Sequence, residues 1–153
     1  MIEVSVPAPD FTLPINGGDD ITLSALQGLI VVLFFYPRDD TPGCTNESIG
    51  FSERLQEFAD AGAQVFGISK DSLTKHGKFT TKHNLTVPLL SDEYGSVCED
   101  YGIWKEKNMY GKTYMGIERT TVLIGADGKI AKIWAKVKVP GHVENVLEAV
   151  KSL

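Results

Sequence analysis

Cys44 is one of only two cysteines in this chain of 153 residues, and it stands in the stretch FFYPRDDTPGCTNES, from Phe34 to Ser48. Thr41 and Pro42 immediately before it are residues that open helices, the first as an N-cap hydroxyl and the second in the first turn. A sulfur in that turn faces free backbone N–H groups and the positive end of a helix dipole, and both favour the thiolate, which is the nucleophilic form. Pro42 has no N–H, so the nearest donors are the amides of Gly43 and Cys44, with the Thr41 hydroxyl beside them as donor and acceptor. Such a pocket suits a small polar substrate held against an attacking sulfur. A lone cysteine is more often a small buried hydrophobe; the helix-start position favours the reactive reading here.

The elements that must position this sulfur follow from the pattern on either side. Leu29 to Tyr36 is a run of eight residues rich in β-branched and aromatic side chains, between Gly28 and Pro37, and predicts a strand buried on both faces. Phe51, Leu55, Phe58 and Ala59 predict that the helix begun at Thr41 continues to Gly62. Gln64 to Ser69 predicts a second strand, parallel to the first through a right-handed crossover. Ahead of these, Met1 to Pro9 predicts an extended lead-in. Asp10 to Leu13 and Ile21 to Leu23 predict a hairpin about the Asn16 to Asp20 turn, with Ser24 capping a brief helical turn. Beyond them, Ser72 to His83 predicts a surface helix with Leu73, His76 and Phe79 on one face. Val87 to Leu90 predicts a short apolar segment. Tyr94 to Tyr101 predicts a helix that carries Cys98 inward beside Val97. Lys105 to Gly116 predicts a loop folded over something. Thr120 to Ile124 and Ile130 to Ala135 flank GADGK and predict an antiparallel hairpin, and Val143 to Leu153 predicts a terminal amphipathic helix. Strand, helix, strand, hairpin, helix is the thioredoxin order.

The spacing Pro37, Thr41, Cys44, followed by Glu47, resembles the peroxidatic-cysteine motif of the peroxiredoxins, and FYPRDDTPGCTNES resembles their bacterioferritin comigratory protein (PrxQ) subgroup. The likeness extends through PAPDFTLP, VPLLSDEYGSV and KEKNMYGKTYMGIERTTVLIGADGKI. It implies one α/β domain over residues 1–153: a thioredoxin-like fold with the peroxiredoxin N-terminal extension and a central mixed β-sheet flanked by helices. It also implies a catalytic set of Cys44, Thr41 and Arg119, in which Arg119 points at the thiolate and Glu47 helps to hold it, with Pro37, Pro42 and Gly43 in support. The implied reaction is reduction of hydrogen peroxide and organic hydroperoxides through a Cys44 sulfenic acid, with no bound cofactor. The chain departs from the subgroup at Ile49, where many members carry a resolving cysteine, and at Thr80, where another variant places one. A one-cysteine cycle is therefore expected, recycled by thioredoxin or another small thiol reductant. The alternative keeps Cys98 as the resolving residue, although its apolar helical surroundings favour a structural thiol.

Composition bounds the remaining classes. With 42% hydrophobic and 23% charged residues and a net charge of -5, the chain suits a globular protein and is a poor partner for nucleic acid. Its longest apolar run is too short to span a bilayer and the N-terminus lacks a signal pattern, so a cytoplasmic monomer or weak homodimer is expected, with no membrane partner. Two distant cysteines make no disulfide scaffold. His76, His83 and His142 lack ligand spacing, so no metal is expected. No glycine loop of phosphate-binding type is present. A thioredoxin-like disulfide reductase is the rival enzyme, but Glu47 occupies the place of the second cysteine in Cys-x-x-Cys. A non-catalytic binding domain on the same fold is the other alternative.

Overall fold

The computed structural model describes residues 2–153, so Met1 of the expected lead-in lies outside the described residues. Five strands form the central sheet: β3 (Ile30–Phe35), β4 (Ala63–Ser69), β5 (Leu89–Ser91), β8 (Thr120–Ile124) and β9 (Ile130–Trp134). Their order is β5-β4-β3-β8-β9. β3 runs parallel to β4, and β4 to β5, while β8 and β9 are antiparallel neighbours. The mixed sheet and parallel β3–β4 pair match the thioredoxin-like expectation.

Alternation along β3 divides the core. Val31, Leu33 and Phe35 belong to one apolar cluster, and Val32, Phe34 and Tyr36 to the other, so each cluster covers one face of the sheet. The second cluster takes its helical members from α1 (Pro42–Glu53), α2 (Leu55–Asp60), α3 (Leu73–His83) and α5 (His142–Lys151), through Phe51, Phe58, Phe79 and Val146. The first is closed by the N-terminal segment, through Phe11 and Leu13, and by α4 (Val97–Asp100) with Tyr101. Both faces being covered explains why β3 carries no polar residue.

Several elements differ from expectation. The helix begun at Pro42 breaks at Arg54, whose φ of -107° and ψ of 10° leave the helical region, so α1 and α2 are separate. The apolar spacing runs through the break because both helices bury the same face. β1 (Thr12–Leu13) and β2 (Ile21–Thr22) pair as expected but are only two residues each. Thr22, not Ser24, occupies the cap of the short 3-10 turn Leu23–Leu26, and the Ser24 amide donates to Asp10 instead. Leu73 faces outward, leaving His76 and Phe79 as the buried face of α3. α4 is shorter than the expected Tyr94 to Tyr101 helix, because the Asp92 carboxylate takes up the Val97 and Cys98 amides and sets a late start. The largest correction is the expected loop at 105–116. It is a hairpin of β6 (Trp104–Met109) and β7 (Lys112–Ile117), turned at Tyr110 and Gly111 with φ of 54° and 76°. Two successive positive φ values are the signature of a type I′ turn. Among the described residues, no helix is long and apolar enough to cross a membrane.

Candidate active site

Sheet topology brings the expected residues together. β3 and β8 are antiparallel with Phe35 opposite Thr120, so the chain leaving β3 toward α1 and the chain entering β8 meet at one end of the sheet. Cys44 is the third residue of α1, and Arg119 immediately precedes β8. Arg119 Nη2 donates to Cys44 Sγ at 3.3 Å, while Nη1 donates to Glu47 Oε1 at 2.8 Å. Cys44 and Glu47 are three apart on one helix and share a face. One guanidinium therefore spans both. Gly43 leaves room for it: a Cβ there would lie 3.0 Å from Arg119 Nη2.

Charge in this pocket is partly compensated. Glu47 is fully buried, and burial pushes its carboxyl up to about 7 against the opposing pull of Arg119. Its Oε2 has no hydrogen-bond partner among the described residues, with His142 Nε2 3.9 Å away. Burial, helped by Arg119, pushes His142 down to about 4, and its Nε2 lies 2.8 Å from the Thr121 hydroxyl. A neutral imidazole thus backs the carboxyl at neutral pH.

Thr41 occupies the N-cap position of α1, as expected, but its hydroxyl does not cap the helix. It donates to the carbonyl of Arg38 at 2.9 Å, which leaves its oxygen lone pairs free to accept. Pro42 is the first residue of α1, also as expected. Pro37, Arg38 and Thr41 line a groove of about 700 Å³ whose other wall is the β6–β7 hairpin, including Lys107 and Met115. Burial and the nearby Arg119 push the Lys107 ammonium below the usual lysine range. Lys107 went unnoticed in the sequence because the 105–116 segment shows no hydrophobic period to say which of its lysines turns inward.

Cys98 does not join this constellation. It is fully buried on α4, in the apolar cluster on the opposite face of the sheet from Cys44. Its amide donates to Asp92 Oδ2 at 2.9 Å, and burial together with the Asp92 carboxylate pushes its thiol well above the usual range. Lys70 is drawn to the same carboxylate at 3.5 Å and to Glu99 at 2.6 Å.

A family model described as AhpC/TSA family matches residues 4–133 of this chain. The protein named putative peroxiredoxin bcp from Coxiella burnetii is 51% identical over 146 residues, covering 95% of this chain and 97% of that one. Peroxiredoxin Bcp from Bacillus subtilis is 45% identical, covering 99% and 97%. Among solved structures, one on the alkyl peroxide reduction activity of Xanthomonas campestris bacterioferritin comigratory protein superposes with a TM-score of 0.90 at 42% identity, covering 98% of each chain. That of a cysteine-to-serine mutant of Xylella fastidiosa PrxQ gives 0.93 at 37% identity, covering 99% of this chain and 97% of that one.

Proposed function

We propose, from the premise that this chain belongs to the AhpC/TSA family and within it to the Bcp (PrxQ) peroxiredoxins, that Cys44 is the residue through which it acts. The protein is a thiol peroxidase. Its substrates are hydrogen peroxide and organic hydroperoxides. The Cys44 thiolate attacks the terminal oxygen, the O–O bond breaks, sulfenic acid forms on Cys44, and the departing alkoxide or hydroxide takes up a proton to leave as alcohol or water. Arg119 stabilises the thiolate before attack and the developing oxyanion during it. Glu47 holds the guanidinium in place, and Thr41 accepts a hydrogen bond from the peroxide O–H through the oxygen lone pairs its own donation to Arg38 leaves free. The observation that carries this reading is the contact of one Arg119 guanidinium with both Cys44 and Glu47.

The cycle closes with an external thiol. Attack on the sulfenic acid by a small thiol or thioredoxin releases water and leaves a mixed disulfide, which a second thiol of the reductant resolves. The support for this one-cysteine cycle is twofold: Ile49 and Thr80 stand at the positions of local resolving cysteines, and the central sheet lies between Cys44 and Cys98. A disulfide needs Cα atoms within roughly 7 Å. The cytoplasm, where thiols remain reduced, is the compartment such a cycle calls for.

Intact mass and peptide mapping after one equivalent of peroxide, with no added thiol, tests the reading. Sulfenic acid on Cys44 or its higher oxides is the expected product. A quantitative disulfide between Cys44 and Cys98 within one chain would overturn the one-cysteine cycle, and a product on Cys98 alone would overturn the site.

A further inference from the structure

Between β3 and α1 runs the loop Pro37 to Thr41, and α3 grips it with three basic side chains. His76 is fully buried, with Nδ1 2.6 Å from Asp39 Oδ2 and Nε2 3.0 Å from the carbonyl oxygen of Leu90. A carbonyl only accepts, so Nε2 is the donor to Leu90 and the other ring nitrogen faces the Asp39 carboxylate. The other Asp39 oxygen accepts the Tyr36 hydroxyl at 2.6 Å. Burial, with Asp39 nearby, pushes that phenol well above its usual range, so it remains a donor. The Asp39 amide donates to Asp71 Oδ2 at 2.8 Å, and the Ser69 hydroxyl donates to the same oxygen at 2.7 Å.

The next residue is held as firmly. Asp40 has φ of 61°, a left-handed conformation that side chains other than glycine rarely adopt. Its carboxylate meets His83 Nε2 at 2.8 Å and Lys82 Nζ at 2.7 Å, and these contacts hold it below the usual carboxylate range. Thr41 then closes the loop onto Arg38. Asp39, Asp71 and His76 bring potential ligand atoms within 4.8 Å of one another, but Asp39 and Asp71 are engaged by Tyr36, Ser69 and the loop's own amide, and His76 by Asp39 and Leu90. The cluster has the form of a clamp.

We propose that His76 and Asp39 are positioning residues for peroxide reduction, fixing the Pro37 to Thr41 loop so that the Thr41 hydroxyl and the first turn of α1 are set against Cys44. This rests on the roles given above to Cys44 and Thr41. A clamp that merely stabilised the fold would change how much protein is folded and leave the rate per folded molecule alone, so a double-mutant cycle separates the two roles.

The measurement is single-turnover peroxide consumption, normalised to titratable Cys44, in His76→Gln, Thr41→Val and the double variant. Displacing a substrate-positioning group by about 1 Å costs on the order of a hundredfold, the loss expected for His76→Gln. Because His76 acts through Thr41, adding Thr41→Val to His76→Gln should slow attack little further. An unchanged rate in His76→Gln, or losses that multiply, overturns the proposal. If His76→Gln does not fold, Asp39→Asn weakens the same contact from the loop side, and a fall that again fails to multiply with Thr41→Val is expected. A full rate in that variant, or a multiplying loss, overturns the proposal as well. Activity surviving in Cys44→Ser would instead place the failure in the site assignment, apart from the clamp.

Discussion

Cys44 and Cys98 are both fully buried, yet the sheet between them separates two opposite electrostatic settings. Cys44 sits in the first turn of a twelve-residue helix with a guanidinium 3.3 Å from its sulfur. Cys98 sits in a four-residue helix whose amides are taken up by Asp92, with Glu99 beside it, and these carboxylates disfavour a second negative charge. Burial makes any thiolate costly, and a neighbouring cation offsets that cost where a carboxylate adds to it. Whether a buried cysteine is reactive is therefore decided by the sign of the charge beside it and by a path from solvent. The groove lined by Thr41 opens at the start of α1, beside the turn that carries Cys44.

The contrast is broken most severely by removing the cation. Arg119→Met takes from Cys44 the group that distinguishes it from Cys98, and loss of one such transition-state donor costs roughly a hundredfold to a thousandfold. Stopped-flow peroxide consumption at neutral pH is expected to show that loss. A rate like that of wild type would mean that the helix start alone activates the sulfur.

A smaller effect sharpens the role of Glu47. Its carboxyl titrates at about 7 in the fold, against an ordinary value of 4.5, so the folded chain holds this proton more tightly than the unfolded one. That contribution favours folding fully below pH 4.5 and is lost as pH rises to about 7, by roughly 3 kcal/mol. Glutamine does not titrate. Glu47→Gln should therefore gain stability relative to wild type across this window, read from denaturant midpoints at several pH values. A pH-independent difference would show that Arg119 keeps the carboxyl in its ordinary range.

Much of this contrast was legible in the sequence, for reasons specific to the residues. The β3 run, the Thr41–Pro42 helix start and the GADGK turn each carry a strong local signal, and they locate Cys44 at a sheet end without reference to the rest of the chain. The meeting of Arg119 with Cys44 and Glu47 was legible only through family resemblance, since a cation 75 residues from Cys44 leaves no local pattern. The β6–β7 hairpin was missed because its strands lie over solvent and a groove, with four of six residues of each exposed, and because Tyr110 occupies a turn position where asparagine or aspartate would have announced a left-handed backbone. The Thr41 hydroxyl was assigned to the helix, whereas the tight loop before it offers the Arg38 carbonyl closer at hand. His76 shares the buried face of α3 with Phe79, and nothing at that spacing shows that its partner is Asp39, 37 residues earlier.

The least effect on catalysis is expected at Cys98, and its smallness is the informative result. Cys98→Ala removes a sulfur from a closed apolar cluster, leaving a small void that should lower stability by about 1 kcal/mol, with the Asp92 contacts to backbone amides intact. Single-turnover peroxide consumption should match wild type, and so should steady-state turnover with an external thiol, because in the proposed one-cysteine cycle neither oxidation nor recycling passes through that face of the sheet. The two rates discriminate between the cycles. If turnover fell tenfold while the first oxidation remained intact, Cys98 would be accepting the sulfenic acid from Cys44, which would require α4 to leave its cluster and cross the sheet end during every cycle. Equal rates in both assays leave Cys98 a packing residue, and the difference between the two cysteines then lies wholly in their surroundings.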